Sequence, residues 1–318
     1  MEDIIYEIIE VRGVIMGFAE KLKVGIGWRV KKIIRFIKKG FRRIKKLIKL
    51  VFKKTKEGYF RLSGVFRGRG ICLLANSKRL KSYKDKHQGE RCFLVGNGPS
   101  LTSSDLDLIK DETTIGCNMV YKIFDQTEWR PTYHCLIDVM FAKNLSEEIA
   151  DNVEAPFFVN LTAYHYMKKR PKDSTYVYNV AKEPYKISNN FLSYYVPSGA
   201  TVMSFMIELA IYMGFKEIYL IGVDCTSSLA KDSHFIKDYL SDDMKQMDVK
   251  RIENRLKAQD LTKEEVSEYY RQKAIFAYNK LNDFANERDV KIYNATRGGA
   301  LESFERVNLS DILGGVNA

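Results

Sequence analysis

An apolar run followed by two glycines opens the most suggestive stretch of this chain, RCFLVGNGPSLTSSDLDLI. The run from Cys92 to Val95 predicts a buried strand, and the Ser, Thr and Asp residues beyond the turn are typical of a helix start. A helix that begins directly after a strand points unpaired N–H groups and its positive dipole end at the same spot. The turn is therefore either a phosphate site or a plain strand-to-helix connection.

The elements that position this turn alternate along the chain. Strands are predicted at 91–96, 113–118, 132–137, 156–160, 174–178, 216–221 and 290–294. Helices are predicted after the glycine turn and at about 139–150, 199–213 and 263–287. Such alternation predicts an α/β fold with a Rossmann-like, mainly parallel sheet and helices on both faces.

Several polar residues follow the predicted strands directly. Ligands of open parallel sheets bind beyond the carboxyl ends of the strands. This rule brings together residues from distant parts of the sequence, namely the Gly96–Gly98 turn, Asn118, Asp138, Asp224 and Asn294. We expect one binding site at that edge of the sheet.

Four segments carry a resemblance to known proteins: VGNGPSL, GCN, VPSGATVMSFMIELAIYMGFKEIYLIGVD and KIYNATRGGALE. Together they resemble the MptE-like nucleotide-binding fold and the related bacterial sialyltransferases of glycosyltransferase family 42. The resemblance covers about residues 91–312. It implies that a nucleotide lies at the glycine turn, against Gly96, Asn97, Gly98 and Ser100.

The resemblance also implies further contacts to the nucleotide donor. They involve Asn118, Asp138, Ser198 with Gly199, and Asp224. Each has a structural alternative, because Asn118 and Asp224 suit turns, while Asp138 and Ser198 suit helix N-caps. Ser198 and Gly199 would also bring a second helix N-terminus to the site.

The catalytic residues are less clear from the sequence. His234 is the candidate general base, because imidazole titrates near neutral pH and this histidine follows the strand-end Asp224. The related sialyltransferases carry their base histidine just before the last long helix, where this chain has LTKEEVSEYYRQKAIFAY and no histidine. Tyr269 and Tyr270 in that stretch are candidates for stabilising the leaving group, and Arg297 for pairing with a phosphate.

The stretch between His234 and the last long helix, residues 236–261, is strongly charged. It predicts a lid over the bound donor or a solvated helical insertion.

A basic segment precedes the predicted sheet. Residues 21–54 hold fifteen Lys or Arg and no Asp or Glu, although the whole chain of 318 residues has a net charge of +12. Apolar residues recur at alternating steps of four and three from Val30 to Val51, which predicts an amphipathic helix. Such a helix suits an anionic membrane surface; a protein partner and nucleic acid are weaker alternatives.

Cysteine usage and the lack of a targeting signal limit the possible cellular compartments, and composition suggests the domain organisation. The five cysteines form no CxxC pair, which disfavours a disulfide framework or a zinc site, and no metal ligands are assigned. The sequence shows no signal peptide and no apolar run of about 18 residues. We expect a cytoplasmic protein, peripheral on the inner face of the membrane, with a helical segment at 1–57, a linker at 58–90 and a catalytic domain at 91–318.

The sequence thus predicts a glycosyltransferase. By resemblance, its simplest donor is a CMP-linked nonulosonic acid, its acceptor is a surface glycan or lipid-linked glycan, and it requires no further cofactor. One alternative is an MptE-like diphosphokinase that moves diphosphate from ATP to 6-hydroxymethylpterin and uses Mg²⁺. A second alternative is a membrane-associated scaffold without activity.

Overall fold

The computed structural model describes residues 35–36, 39–40, 42–43, 62–179, 187–188, 190–194, 201–226, 234–236, 239–259 and 262–314. The chain divides into two compact units, Met1–Ser63 and Gly64–Ala318. The first unit contains the predicted basic helix, which lies largely outside the described residues. The second unit contains the sheet.

Eight strands form one sheet in the second unit. They are β1 (Arg91–Val95), β2 (Thr114–Cys117), β3 (Tyr133–Leu136), β4 (Phe157–Asn160), β5 (Ser174–Val177), β6 (Glu217–Ile221), β7 (Lys291–Asn294) and β8 (Glu305–Arg306). Their order is β5-β4-β3-β2-β1-β6-β7-β8, and every neighbouring pair is parallel. The predicted parallel α/β fold is confirmed, and all seven predicted strands are present. The two-residue β8 was not predicted.

Eight α-helices among the described residues of this unit precede, connect or follow the strands. They are α1 (Ala75–Ser82), α2 (Ser103–Leu108), α3 (Val139–Asn152), α4 (Leu161–Tyr166), α5 (Val202–Met213), α6 (Asp242–Gln259), α7 (Lys263–Asn286) and α8 (Leu309–Ile312). The region predicted to be a lid or an insertion contains α6. Among the described residues, no helix is both long and apolar enough to cross a bilayer.

The side chains of β1 alternate between two cores. Cys92 and Leu94 pack on one face of the sheet with residues of α5 and α7. Phe93 and Val95 pack on the other face, where Leu106 of α2 is fully buried. Because both faces are covered, the middle strands are buried and mostly apolar, as expected for a parallel sheet.

The strand order reverses between β1 and β6. The chain builds outward from β1 to β5 on one side, then returns to place β6 beside β1 and continues to β8 on the other side. The two strands are paired along their whole length, with Cys92 opposite Ile218 and Val95 opposite Ile221. Connections leave this point in opposite directions, which opens a crevice beyond the carboxyl ends.

Helix α1 covers the outer edge of the sheet. The Asn76 side chain donates to the Tyr176 carbonyl at 2.8 Å and accepts from the Tyr176 N–H at 2.9 Å, as a neighbouring strand would. Leu80 of α1 is fully buried. These contacts fix α1 to β5 and protect an edge that would otherwise be open to pairing with other chains.

Candidate functional site

A pocket of about 230 Å³ lies at the reversal point, beyond the carboxyl ends of β1, β2 and β6. The glycine turn after β1, the start of α5 and the segment around His234 complete its walls. Its lining consists of Gly96, Asn97, Gly98, Pro99, Cys117, Asn118, Thr201, Val202, Met203, Gly222, Val223, Asp224, Cys225, Thr226, His234 and Tyr239. The structure therefore gathers much of the predicted site in one place.

The two glycines of the turn allow it to pack against the turn after β6. A Cβ on Gly96 would lie 2.3 Å from the Gly222 carbonyl oxygen, and a Cβ on Gly98 would lie 1.8 Å from Asp224 Oδ2. The Gly98 N–H donates to the Gly222 carbonyl at 2.8 Å. These glycines are thus explained by contact between two protein turns, and the Gly98 N–H is already occupied.

Asp224 holds the same two turns together. Its Oδ2 accepts from the Ser100 hydroxyl at 2.9 Å and more weakly from the Ser100 N–H at 3.4 Å, and the residue is buried. The carboxylate lines the pocket while serving as a turn cap. Both roles considered for Asp224 from the sequence are therefore compatible with its position.

Asn97 and Asn118 line the pocket, and the buried side-chain oxygen of each has no hydrogen-bond partner among the described residues. The Asn97 side chain is held by donation from its Nδ2 to the Cys117 carbonyl at 3.1 Å. A buried acceptor that lacks a hydrogen bond costs about 1–3 kcal/mol. Both atoms are therefore suited to accept hydrogen bonds from a bound ligand.

The backbone at Asn118 is held by a buried histidine. Asn118 has a φ of 50°, and its carbonyl accepts from His134 Nε2 at 3.0 Å. Because a carbonyl can only accept, His134 Nε2 carries the proton. Burial lowers the pKa of His134 to about 4, so the ring stays neutral. His134 is a core residue that positions Asn118.

The N-terminus of α5 forms another wall. The Thr201 side chain caps the helix by accepting from the Ser204 N–H. The N–H groups of Val202 and Met203 have no acceptor within the helix, and both residues line the pocket. This end of α5 therefore offers donors and a positive dipole end to an anion. The predicted contacts Ser198 and Gly199 lie outside the described residues.

Helix α2, in contrast, does not present a free N-terminus. Thr102 and Asp105 form a capping box, in which each side chain accepts from the other residue's N–H. Arg297 then covers this end, with a two-pronged ion pair to Asp105 at 2.6 and 2.8 Å and a bond to the Ser100 carbonyl at 2.8 Å. The glycine turn thus lines the pocket, but the capped N-terminus of α2 offers no phosphate site there.

Arg297 belongs to a second, neighbouring pocket of about 590 Å³. Arg306 and the start of α8 also line it. The two pockets share only Gly222 in their linings. Arg297 therefore lies apart from the strand-end pocket, where the sequence had placed it as a phosphate partner.

His234 lies at the mouth of the strand-end pocket. Its ring stacks on Tyr239, with centroids 3.9 Å apart and planes 8° from parallel. Burial lowers the pKa of His234 to about 4, so the imidazole is neutral at pH 7 and is a weaker base than an exposed imidazole. The neighbouring Phe235 N–H donates to the Asn97 carbonyl at 3.2 Å, which docks this segment onto the glycine turn.

Other predicted site residues lie away from the pocket lining. Asp138 caps α3 by accepting from the Met140 N–H at 2.6 Å. Asn294 is buried and bonded to Leu301 and Thr296. Tyr269 and Tyr270 lie on α7, and Tyr269 is 46% exposed.

No cluster of three His, Cys, Asp or Glu side chains suited to a metal ion occurs within the described ranges.

The helix N-terminus at the site was predicted, but its cap Thr201 was missed, as was Tyr239. Thr201 lies three residues beyond the predicted Ser198, and the cap could have been read from Thr201 followed by an apolar helical run. Tyr239 carried no recognisable signal. Its role depends on tertiary packing against His234 and on its hydroxyl, which accepts from the Met119 N–H at 3.5 Å.

Comparison with known families agrees with this geometry. Residues 72–229 match the family described as 6-hydroxymethylpterin diphosphokinase MptE-like. This region resembles that family. It contains β1 to β6 and the pocket residues from Gly96 to Thr226. His234 and Tyr239 lie beyond the matched region, so the match includes most of the pocket lining but not these two residues.

One similar solved structure is the MAf glycosyltransferase from Magnetospirillum magneticum AMB-1. It is 15% identical over 76% of this chain, with a TM-score of 0.43. This chain spans 40% of the length of that chain. No curated protein matches the sequence.

Proposed function

We propose that this protein is a glycosyltransferase that binds a nucleotide-activated sugar in the strand-end pocket. The observation that carries the proposal is the pair of buried amide oxygens without a described partner, Asn97 Oδ1 and Asn118 Oδ1, in two residues that line the pocket together with the N-terminus of α5. The oxygens suit hydroxyl or amine donors of a nucleoside, and the helix end suits a phosphate. The MptE-like match supports a ligand of this class.

The charge of the pocket favours a donor with a single phosphate. Among the described residues of its lining, none is Lys or Arg, and Asp224 adds a negative charge. Two helix N–H groups and a dipole can stabilise one phosphate, whereas a di- or triphosphate would need additional cations. This balance supports a CMP-linked sugar over a nucleoside diphosphate sugar. The resemblance to sialyltransferases supports a nonulosonic acid as that sugar.

The proposed reaction uses His234 as general base. The acceptor hydroxyl attacks the anomeric carbon, its proton passes to the neutral imidazole, and the bond from that carbon to the phosphate oxygen breaks. CMP leaves with the electron pair. The N–H groups of Val202 and Met203 stabilise the departing phosphate, because they are already oriented toward it.

The basic segment supports a membrane-bound acceptor. Fifteen cations at residues 21–54 would hold the protein at anionic lipid, where lipid-linked glycans are assembled. The acceptor is accordingly a surface glycan or lipid-linked glycan, and the protein acts at the inner face of the membrane.

The family description favours a second candidate, a diphosphokinase acting on 6-hydroxymethylpterin. That reaction moves diphosphate from ATP and uses Mg²⁺, for which Asp224 is the carboxylate in the pocket. The absence of Lys and Arg from the described lining counts against a triphosphate there.

Thermal unfolding of the full chain with CMP, UDP, GDP or ATP, each with and without Mg²⁺, separates these functions. A ligand at about 100 times its Kd stabilises the native state by about 2.7 kcal/mol. We expect stabilisation by CMP without Mg²⁺. Stabilisation by ATP only with Mg²⁺ would favour the diphosphokinase, UDP or GDP would change the sugar, and no effect from any nucleotide would favour the scaffold.

A further inference from the structure

An exposed apolar surface lies at the start of the sheet-containing unit. Five large apolar side chains are 46–83% exposed there: Val65, Phe66, Ile71, Leu73 and Leu74. Isolated exposed apolar residues are ordinary, but a contiguous group of this kind marks an interaction surface. We call these residues, together with Arg69, Lys78 and Lys81, the 65–81 surface.

Hydrogen bonds hold the parts of this surface together. The Ile71 N–H donates to the Phe66 carbonyl at 2.9 Å, which joins the apolar residues before α1. Lys81 Nζ donates to the Gly70 carbonyl at 2.8 Å, so α1 is tied to the same loop. Leu74 and Lys78 are four residues apart and share one side of the helix. These hydrogen bonds join the segment 65–71 and α1 into one part of the surface.

The two leucines that precede α1, Leu73 and Leu74, are exposed in a way that favours contact with a binding partner. Leu74 occupies the N-cap position, makes no side-chain cap and is 50% exposed, and Leu73 before it is 83% exposed. A Ser, Thr, Asp or Asn would cap the helix, and apolar residues are poor caps. Helix stability alone does not explain two consecutive exposed leucines.

The charge of this surface selects the partner. From Gly64 to Lys84 the sequence contains no Asp or Glu, and Arg69, Lys78 and Lys81 are exposed. Leucine and phenylalanine among cations of one sign match a lipid interface, where apolar side chains enter the acyl boundary and cations meet anionic headgroups.

We propose that the 65–81 surface binds an anionic membrane surface directly, as a second contact in addition to the basic segment 21–54. The folded unit is then held against the bilayer through the 65–81 surface. This inference does not depend on the nucleotide or on the reaction.

Vesicle binding of the full chain tests the proposal. The variant Leu73→Gln/Leu74→Gln leaves residues 21–54 intact, and Val249→Gln/Phe276→Gln is the matched control, because those residues are 47% and 46% exposed elsewhere. On phosphatidylcholine vesicles that contain phosphatidylglycerol, we expect the first variant to bind at least tenfold more weakly and the control to stay within twofold of wild type. Equal binding by the first variant would overturn the proposal, as would its conversion of a dimer into a monomer with vesicle binding unchanged.

A fluorescence measurement covers the case in which the double variant fails to fold. A Leu73→Trp substitution in a Trp28→Phe background reports the environment of this position once the emission of the Trp28→Phe protein, which keeps the buried Trp129, is subtracted. We expect its emission to shift to shorter wavelength when anionic vesicles are added. An unchanged emission spectrum with the protein bound would show that residues 21–54 alone contact the membrane.

Discussion

Deleting the Asn118 side chain separates a ligand-binding role from a structural one. Asn118 has a left-handed backbone with a φ of 50°, so Asn118→Gly preserves the conformation while removing the amide. The substitution eliminates a buried oxygen that has no partner among the described residues. It also removes a side-chain hydrogen bond to Tyr239.

The effects on the free protein nearly cancel. Removing a buried unpaired acceptor recovers about 1–3 kcal/mol, and losing a neutral hydrogen bond costs about 1 kcal/mol. Glycine gives the unfolded chain more conformational entropy, which lowers the free energy of unfolding by about 1 kcal/mol. It also adopts the positive φ without strain. We expect the stability of Asn118→Gly to lie within about 1 kcal/mol of wild type.

The effect on nucleotide binding is larger. If Asn118 Oδ1 accepts a bond from the nucleoside, its loss leaves a donor unpaired in the pocket. That costs about 1–3 kcal/mol, which raises the Kd for CMP by about 5- to 150-fold. Urea unfolding and isothermal titration calorimetry measure the two quantities on the same preparation.

Asn160→Ala is the matched control, because that amide is fully engaged. Asn160 accepts from the Ala163 N–H at 2.7 Å, donates to the Ile137 carbonyl at 3.0 Å and does not line the pocket. We expect a loss of about 1–3 kcal/mol in stability and an unchanged Kd. If Asn118→Gly instead behaves like this control, the amide is structural and the reasoning is refuted.

Four further outcomes follow from the site and the core. Gly98→Ala places a Cβ 1.8 Å from a carboxylate oxygen and should destabilise the fold and abolish nucleotide binding; a stable variant with normal affinity would contradict the packing of the two turns. His234→Gln should lower turnover at least about 100-fold and leave the Kd for CMP within threefold, measured by CMP release and calorimetry, whereas retained turnover would exclude this base. Arg297→Ala should cost about 1–3 kcal/mol of stability, because its buried carboxylate partner loses an ion pair, with no change in CMP affinity. The pKa of His134 is lowered from 6.5 to about 4, so stability should be complete above pH 6.5 and decrease by on the order of 3 kcal/mol as the pH falls to about 4. Because burial lowers the pKa of His234 similarly, His134→Gln should remove only the His134 share of the pH dependence in urea titrations, roughly half; an unaltered pH profile would argue against a buried neutral ring.

The fold was largely predictable because its signals are local. Each interior strand is a short apolar run, and each is bounded by turn or capping residues, as from Cys92 to Asn97. The eighth strand escaped prediction because Glu305–Arg306 is exposed and has only two residues. Its assignment depends on pairing with β7, which no local pattern records.

The candidate site was predictable only in part. The strand-end rule brought Asn97, Asn118 and Asp224 to one pocket, because parallel strands end at a common edge. The same rule does not predict which of these polar residues hydrogen-bond to the protein's own backbone instead of lining the pocket. Asp138 caps a helix and Asn294 braces a turn, and both uses depend on the backbone that follows each strand.

Arg297 shows a different limit. Its sequence context, a cation in a glycine-rich turn, suits a phosphate equally well as a carboxylate. In the structure its partner is the carboxylate of Asp105, which is 192 residues away in sequence and buried beside it. Long-range pairing of this kind has no signal in a single sequence.

A crystal structure of the full chain with CMP, grown without divalent metal, tests the central claim most directly. The account predicts the phosphate within hydrogen-bond distance of the Val202 and Met203 N–H groups. It also predicts that the nucleoside contacts the side-chain oxygens of Asn97 and Asn118. CMP bound instead beside Arg297 and Arg306, or a strand-end pocket still empty at saturating CMP, would contradict it.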